Sequence, residues 1–391
     1  MPKQMRKTVF IYSANFLPNI GGVEKYTHFL ANQLQSMGYN AVIVTNNVFS
    51  LESIEETETG AKIYRLPCHP LIGGRFPLPK KNAEFRRLFN EIRRSPTSFI
   101  VINTRFYPHT FLGVQHAEAA GIRPIVIDHG SAYLTFGNPA IDVAVKGYEH
   151  AITAKLKRHD LDFYGVSEAS VEWLKTFGIE GLGVINNSID AEEYLAQASE
   201  RNFKSELGSK DCFLVSFTGR LIPEKGVRNL LEAARLLSDD PQIQIVLAGD
   251  GPLKQELTDR NPGNMHLLGR LDGNDIAALL EQSDCFCLPT RSEGFSTSLL
   301  ESAACYTTPV ITNAGGVPEM IPSPDYGVIL KSQDPHEIAG AIRQLKADPT
   351  HNATLASNIG KRVREEFSWK ATAEKIITAC ERANQPVDRN D

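Results

Sequence analysis

The chain has 391 residues, enough for two domains of roughly 150–200 residues each. Hydrophobic residues make up 42% and charged residues 22%, with 29 Gly and 22 Pro, which excludes collagen-like and low-complexity chains. The net charge of −5 argues against a general nucleic-acid binder, and no run of about 18 apolar residues exists that could cross a membrane.

The opening MPKQMRKTVFIYSANF is basic, but its apolar stretch breaks at Ser13 and Asn15 and no small-residue cleavage site follows. Residues 8–12 therefore read as a first buried strand rather than a signal peptide. Further strand-like runs are predicted at 41–45, 62–66, 99–103, 124–128, 163–166 and 183–186, with helix-period segments at 23–37, 80–93, 111–120, 140–157 and 169–177. The alternation restarts after a polar stretch at 190–211. Strands are then predicted at 213–218, 243–248, 265–268, 285–288, 310–312 and 328–330, and helices at 227–237, 253–260, 276–282, 298–304 and 336–347. A helical tail, 352–384, breaks near Phe367 and Trp369. Such alternation predicts parallel sheets covered by helices on both faces. The reading is an α/β chain of two doubly wound domains. The first spans 1–195 and the second 196–369, joined by 190–211, with the last helix, about 370–385, packing back on the first domain. In such sheets ligands bind beyond the carboxyl ends of the strands, and a cleft between two such domains is the default site.

Six Cys without regular spacing do not form a disulfide framework, and Cys285 and Cys287 alternate inside an apolar strand, as core residues do. A reducing cytoplasm is the expected compartment, so the sequons at Asn186 and Asn352 carry no weight.

Five loops follow predicted strands and open helices. Gly21 and Gly22 stand between the first strand and its helix, where glycine lets backbone amides approach an anion, or simply shapes a turn. Arg220 and Lys225 precede the helix at 227. Two cations there suit a diphosphate, Arg as a forked donor and Lys as a point charge, or they are solvated loop charges. Gly249 and Gly251 spell G-x-G, but Lys254 stands where a third glycine would fall and Pro252 shortens the loop, so a dinucleotide site is rejected. Glu293, Gly294, Phe295 and Ser296 precede a helix carrying Glu301. The eight-residue interval, about two helical turns, puts both carboxylates on roughly one face, where they could accept from sugar and ribose hydroxyls. Gly315, Gly316 and Glu319 form a further turn with an acid in the first helical turn.

The segments GGVEKY, FTGRLIPEKG, LAGDGP, LLGRL, PTRSEGFSTSLLESAACYTTPVI and GGVPEMI, in this order, resemble a family 4 retaining glycosyltransferase of the GT-B fold, with two Rossmann-like domains facing across a central cleft. The resemblance covers nearly the whole chain and is most specific in 217–321. It implies that Arg220 and Lys225 hold the donor diphosphate and that Glu301 binds the ribose. It places Glu293 at the donor sugar, with backbone amides from Gly294, Phe295 and Ser296. The Gly269, Arg270 and Leu271 loop would receive the base, Gly21 and Gly22 would lie near the phosphates on domain closure, and His129 would stand near the sugar. The expected reaction is metal-independent transfer of a sugar from a nucleotide-sugar, UDP-linked in preference to GDP-linked, to a glycan or lipid-linked acceptor. The alternatives are a sugar-nucleotide epimerase and the non-catalytic partner of a glycosyltransferase pair. Ser296, Thr297 and Ser298 depart from the Pro or Leu common after this element, which bears on the choice of sugar.

Two other features bear on metals and membranes. Asp160 and Asp162 spell the D-x-D of metal-dependent transferases but precede a strand rather than end one, so no metal site is assigned. Residues 75–94 hold seven Lys/Arg and two Glu, with Phe85, Leu88, Phe89 and Ile92 at helix spacing. That is either a basic amphipathic helix lying on an anionic membrane or a surface helix packed on its own domain.

Overall fold

The computed structural model describes residues 6–19, 21–133 and 139–385, so Met1–Met5 of the basic opening and Ile20 of the glycine loop lie outside the described residues. The chain divides into two compact units. One runs to Asn187 and resumes at Trp369; the other is Ser188–Ser368.

The first unit carries β1 (Thr8–Ser13), β2 (Asn40–Asn46), β3 (Ile54–Glu56), β4 (Lys62–Leu66), β5 (Cys68–Leu71), β6 (Phe76–Pro79), β7 (Phe99–Asn103), β8 (Ile125–Asp128) and β9 (Asp162–Gly165). Its main sheet has the order β3-β4-β2-β1-β7-β8-β9, parallel except for β3 at the edge. The second unit carries β10 (Phe213–Thr218), β11 (Ile243–Ala248), β12 (Met265–Gly269), β13 (Cys285–Leu288), β14 (Thr308–Thr312) and β15 (Val328–Leu330) in the all-parallel order β12-β11-β10-β13-β14-β15. Val9, Phe10, Ile11 and Tyr12 are all buried, as are Cys285 to Leu288. Continuous apolar runs are what strands covered by helices on both faces require. Each sheet reverses its winding once, between β1 and β7 and between β10 and β13. Those switch points are where doubly wound sheets bind ligands, just past the strand ends.

Two local differences from the sequence reading have physical causes, and the last helix lies where the sequence placed it. Residues 190–211 are not a linker. Asp190 and Asn202 cap short helices, Ala191–Ala196 and Phe203–Glu206, by accepting from Glu193 N–H and Ser205 N–H. Phe203 is buried with Leu214 and Val246, and Ser199 and Arg201 both bond Asp275, so the stretch is part of the second unit, which begins at Ser188 rather than 196. Residues 183–186 make only one bridge, Gly165 to Val184, instead of a strand. The last helix, Trp369–Ala383, belongs to the first unit, with the Trp369 ring stacked on Phe29 at 5.6 Å and edge-on to Tyr26 at 5.3 Å.

Candidate active site

In the second unit the loops after β10 and β13 meet. Gly226 has φ of 70°, and a Cβ there would lie 2.0 Å from the Pro289 carbonyl oxygen, so only glycine permits the approach. Arg291 N–H donates to Glu224 O at 2.8 Å across the same contact. The approach brings Lys225, in the single turn Pro223–Lys225, onto Glu293: the ammonium donates to Glu293 Oε1. The two side chains are 23% and 11% exposed, enough desolvation for the pair to matter. Arg220 stands on the same loop, exposed, with no ion pair among the described residues. An exposed guanidinium and a held ammonium thus flank the end of β10.

The eight-residue interval between Glu293 and Glu301 is not two helical turns, which corrects the expectation of one shared face. The helix is Thr297–Ala304, and Ser296 caps it by accepting from Leu299 N–H at 3.3 Å. Glu293, Gly294 and Phe295 lie on the loop ahead of it. Glu301 is buried within the helix. Tyr194, which the sequence did not flag, lies close enough that the Glu301 charge adds to burial in raising its phenol pKa. The serines also have structural work. Ser296 is the cap, and Ser298 Oγ donates to Thr218 O at 3.1 Å, fastening the helix to the end of β10. Those bonds leave a sugar-selecting role for the two hydroxyls without support. Phe295 is buried against Phe367 at 5.6 Å. Gly294 O accepts from Gly316 N–H at 3.2 Å, so the Gly315–Gly316 turn braces this loop.

Gly249 has φ of 156°, and a Cβ would lie 1.8 Å from the Gly219 carbonyl oxygen. The G-x-G therefore answers to loop packing, in keeping with rejection of a dinucleotide fingerprint. Gly249 N–H donates to Gly269 O at 2.7 Å, placing the Gly269–Leu271 loop beside it. Arg270 is 84% exposed, 3.8 Å from Asp250, while Leu271 packs on the Phe203 cluster.

In the first unit Gly21 precedes the helix Gly22–Ser36 with no side-chain cap. Glu24 folds back over the helix start instead, accepting from Asn19 Nδ2 at 2.7 Å and from its own N–H; burial raises its pKa against both bonds. A negative group thus already occupies the amide end that the glycine pair offers.

His129 follows β8, part-buried, with its ring edge-on to Tyr26 at 4.8 Å. Its protonation state can be read outward from the main chain. Val23 O can only accept, so the Thr27 hydroxyl donates to it at 2.8 Å. Thr27 Oγ1 must then accept from Asn103 Nδ2, also at 2.8 Å. Asn103 accordingly turns Oδ1 to His129 Nε2 at 3.1 Å, and that nitrogen carries the proton. Burial lowers the His129 pKa to about 3, so the ring is neutral with a bare Nδ1 acceptor. Beside it, Asp128 is paired with Arg105 at 3.1 Å, and Arg105 reaches Glu149 at 3.1 Å; burial still pushes the Asp128 carboxyl up to about 6. Asn103 and Thr27 were missed because only the fold brings them to His129, and Arg105 because only the fold brings it to Asp128.

Asp160 and Asp162 both bind Arg123, each at 2.9 Å. Among the described residues no group of three or more His, Cys, Asp or Glu side chains could hold a metal, and no helix is long and apolar enough to cross a membrane. In the helix Ala83–Arg94 the residues Phe85, Leu88, Phe89 and Ile92 are all buried in the first unit's core. Its apolar face is therefore not available to lipid, while Arg86, Arg87, Arg93 and Arg94 remain exposed.

Residues 198–366 match the family model for glycosyl transferases group 1, and residues 20–193 that for glycosyltransferase family 4. A phosphatidylinositol N-acetylglucosaminyltransferase component from Arabidopsis thaliana is 25% identical over 412 residues, covering 100% of this chain and 84% of the relative. Among solved structures, sucrose-phosphate synthase from Thermosynechococcus elongatus superposes with a TM-score of 0.76 at 20% identity, covering 96% and 99% of the two chains. Anabaena HepE in complex with UDP gives 0.72 at 18%, covering 96% and 100%. With both halves matched and two Rossmann-like units in place, this chain belongs to the group 1, family 4 glycosyltransferases of the GT-B fold, enzymes that transfer a sugar from a nucleotide-sugar donor.

Proposed function

We propose that the enzyme is a retaining transferase that uses a UDP-sugar and a glycan or lipid-linked acceptor, in the assembly of a cell-surface polysaccharide or glycolipid. The observation that carries the donor side is the set of Arg220, Lys225, Glu293 and Glu301 around the switch point of the second sheet. Arg220 and Lys225 neutralise the departing diphosphate, work that needs no metal. Glu301 accepts from the ribose and Glu293 faces the sugar as positive charge develops on its ring. Gly294, Phe295 and Ser296 line that loop, Gly269, Arg270 and Leu271 take the base, and Gly21 and Gly22 approach the phosphates once a ligand displaces Glu24. His129 accepts from a sugar hydroxyl through Nδ1. The bond from the anomeric carbon to the phosphate breaks, the acceptor oxygen bonds to that carbon on the same face, and its proton passes to a donor phosphate oxygen. HepE is described with UDP and UDP-glucose, which favours UDP. The Arabidopsis relative's name specifies a phosphatidylinositol acceptor, which favours a lipid.

A thermal-shift panel of UDP, GDP and ADP tests the base, because a ligand that binds only the folded state raises the melting temperature. UDP alone should stabilise. A larger shift with GDP overturns the UDP assignment, and product formed from donor without acceptor favours an epimerase.

The exposed charges of 75–94 favour a second reading, peripheral contact with the anionic cytoplasmic face of a membrane. With the helix's apolar face buried, that contact is made by Arg86, Arg87 and the adjoining Lys80 and Lys81 as headgroup partners, not by insertion of the helix.

A further inference from the structure

Trp173 stands in the helix Glu168–Lys175 and is held from two sides, its ring edge-on to Tyr133 at 4.7 Å and to Phe177 at 5.4 Å. Its indole Nε1 is buried and has no hydrogen-bond partner among the described residues. A buried N–H costs stability unless something accepts from it. Phenylalanine would make both ring contacts without that cost, so packing alone does not account for an indole here.

The N–H lies beside the turn that carries His129. A Cβ on Gly130 would lie 4.0 Å from Trp173 Nε1 and 3.8 Å from Ala132 O, which is ordinary contact, and the Gly130 backbone is not left-handed. Alanine would therefore fit the fold at 130, and glycine leaves the space next to the indole N–H open. Against it lies a cavity of about 450 Å³, in the size range of ligand pockets, lined by Ser131, Ala169, Glu172, Trp173, Lys175 and Thr176. Ala169, Glu172, Trp173 and Thr176 recur at spacings of three and four, one face of the helix and its end. Ser131 is two residues past His129, about 7 Å away at most.

The lining selects the chemistry of an occupant. The indole and Lys175 donate, Glu172 accepts, and the hydroxyls of Ser131 and Thr176 do either. Lys175 and Glu172 pair with each other at 2.5 Å, so the lining carries no net charge and offers a phosphate no spare cation. A neutral ring bearing several hydroxyls can accept from the indole N–H and exchange hydrogen bonds with the rest. We propose that this cavity is the subsite for a polyol ring of the acceptor, a sugar or a lipid's cyclitol headgroup, with Trp173 Nε1 donating to one of its hydroxyls. The inference rests on the transferase reading above and names the part of the acceptor that the first unit holds.

The test is ligand-observed NMR on the full chain in saturating UDP. The probes are the methyl α-pyranosides of glucose, galactose, mannose and N-acetylglucosamine, then myo-inositol, then inorganic phosphate. At least one neutral ring should bind; a glycoside identifies a glycan acceptor, and myo-inositol alone identifies a cyclitol headgroup. Trp173→Phe keeps the ring and removes the N–H, and should weaken that binding roughly three- to tenfold, the loss of one neutral hydrogen bond. Gly130→Ala should weaken it similarly by filling the space beside the N–H. Both variants should melt at or above the wild-type temperature and bind UDP normally. No ring bound while UDP still stabilises the chain, equal ring binding by wild type and Trp173→Phe, or binding of phosphate alone overturns the subsite and leaves the donor reading standing. A chain that UDP does not stabilise overturns the donor reading and the acceptor role with it.

Discussion

Glu293→Gln should tighten the binding of free UDP, although Glu293 is proposed to serve the donor. In the unliganded protein the Lys225 ammonium is engaged by the Glu293 carboxylate, with both side chains mostly out of water. A diphosphate must draw that ammonium away. A charge-assisted hydrogen bond is worth about 1.5–3 kcal/mol net, and the neutral amide returns part of it, so the dissociation constant should fall roughly tenfold at about 1.4 kcal/mol per decade. Lys225→Ala should weaken UDP by more than tenfold, because it removes the cation and also leaves an unpaired carboxylate beside the incoming anion. The double variant should recover part of that loss. Titration calorimetry of wild type, both single variants and the double variant closes the cycle. With the full donor the sign reverses, and Glu293→Gln should lower kcat more than it raises KM, since the lost charge faces the sugar whose ring turns positive. UDP binding weakened tenfold or more by Glu293→Gln, or a double variant no better than Lys225→Ala, refutes the competition between carboxylate and diphosphate.

Asn103→Asp sets a carboxylate where Oδ1 now lies 3.1 Å from His129 Nε2, so the imidazolium is stabilised and the His129 pKa climbs from about 3 toward neutrality. Below that raised pKa Nδ1 is protonated and cannot accept, so kcat/KM should gain an acid limb near pH 5–7 that wild type lacks; identical profiles refute the role given to Nδ1. Glu301→Gln should mainly raise KM, because the ribose does not react, and a fall in kcat at unchanged KM counts against it. Turnover should survive excess EDTA; a loss restored by manganese or magnesium would overturn the metal-free mechanism.

The fold was legible because parallel strands buried on both faces must read as apolar runs, and those of β10, β11 and β13 were found to the residue. What escaped was held by capping or by contact. Residues 190–211 look like a linker in composition, and only Asp190 and Asn202, as caps, and the buried Ala191 and Phe203 mark them as structure. The amphipathic period of 83–94 is identical for a helix facing a core and one facing lipid, and the packing of Phe85 and Ile92 decides it. The β5–β6 hairpin was missed because prolines at 70, 77 and 79 break any strand pattern. Glu293 and Glu301 fall on one loop and the helix it opens, but the single helical face expected for them does not hold, since the cap at Ser296 separates them.

The candidate groups differ in what the sequence can say about their state. A motif supplies the residue type, but the charge and the lone pair presented to a ligand are set by partners far along the chain. Lys225 meets Glu293 only because glycine at 226 lets two loops touch, and the pair then makes the ammonium's availability depend on the carboxylate. His129 presents a bare Nδ1 only because a carbonyl in the first turn of the helix Gly22–Ser36 orders the Thr27 hydroxyl, which orders the Asn103 amide. That carbonyl belongs to Val23, one residue past the glycine pair and beside Glu24. A ligand that displaces the Glu24 carboxylate from the helix start therefore acts on the same helical turn that fixes the His129 tautomer. The anion site proposed at Gly21–Gly22 and the hydrogen bonding at His129 share one structural anchor, and a variant such as Thr27→Val should disturb the second while leaving the amides of the first in place.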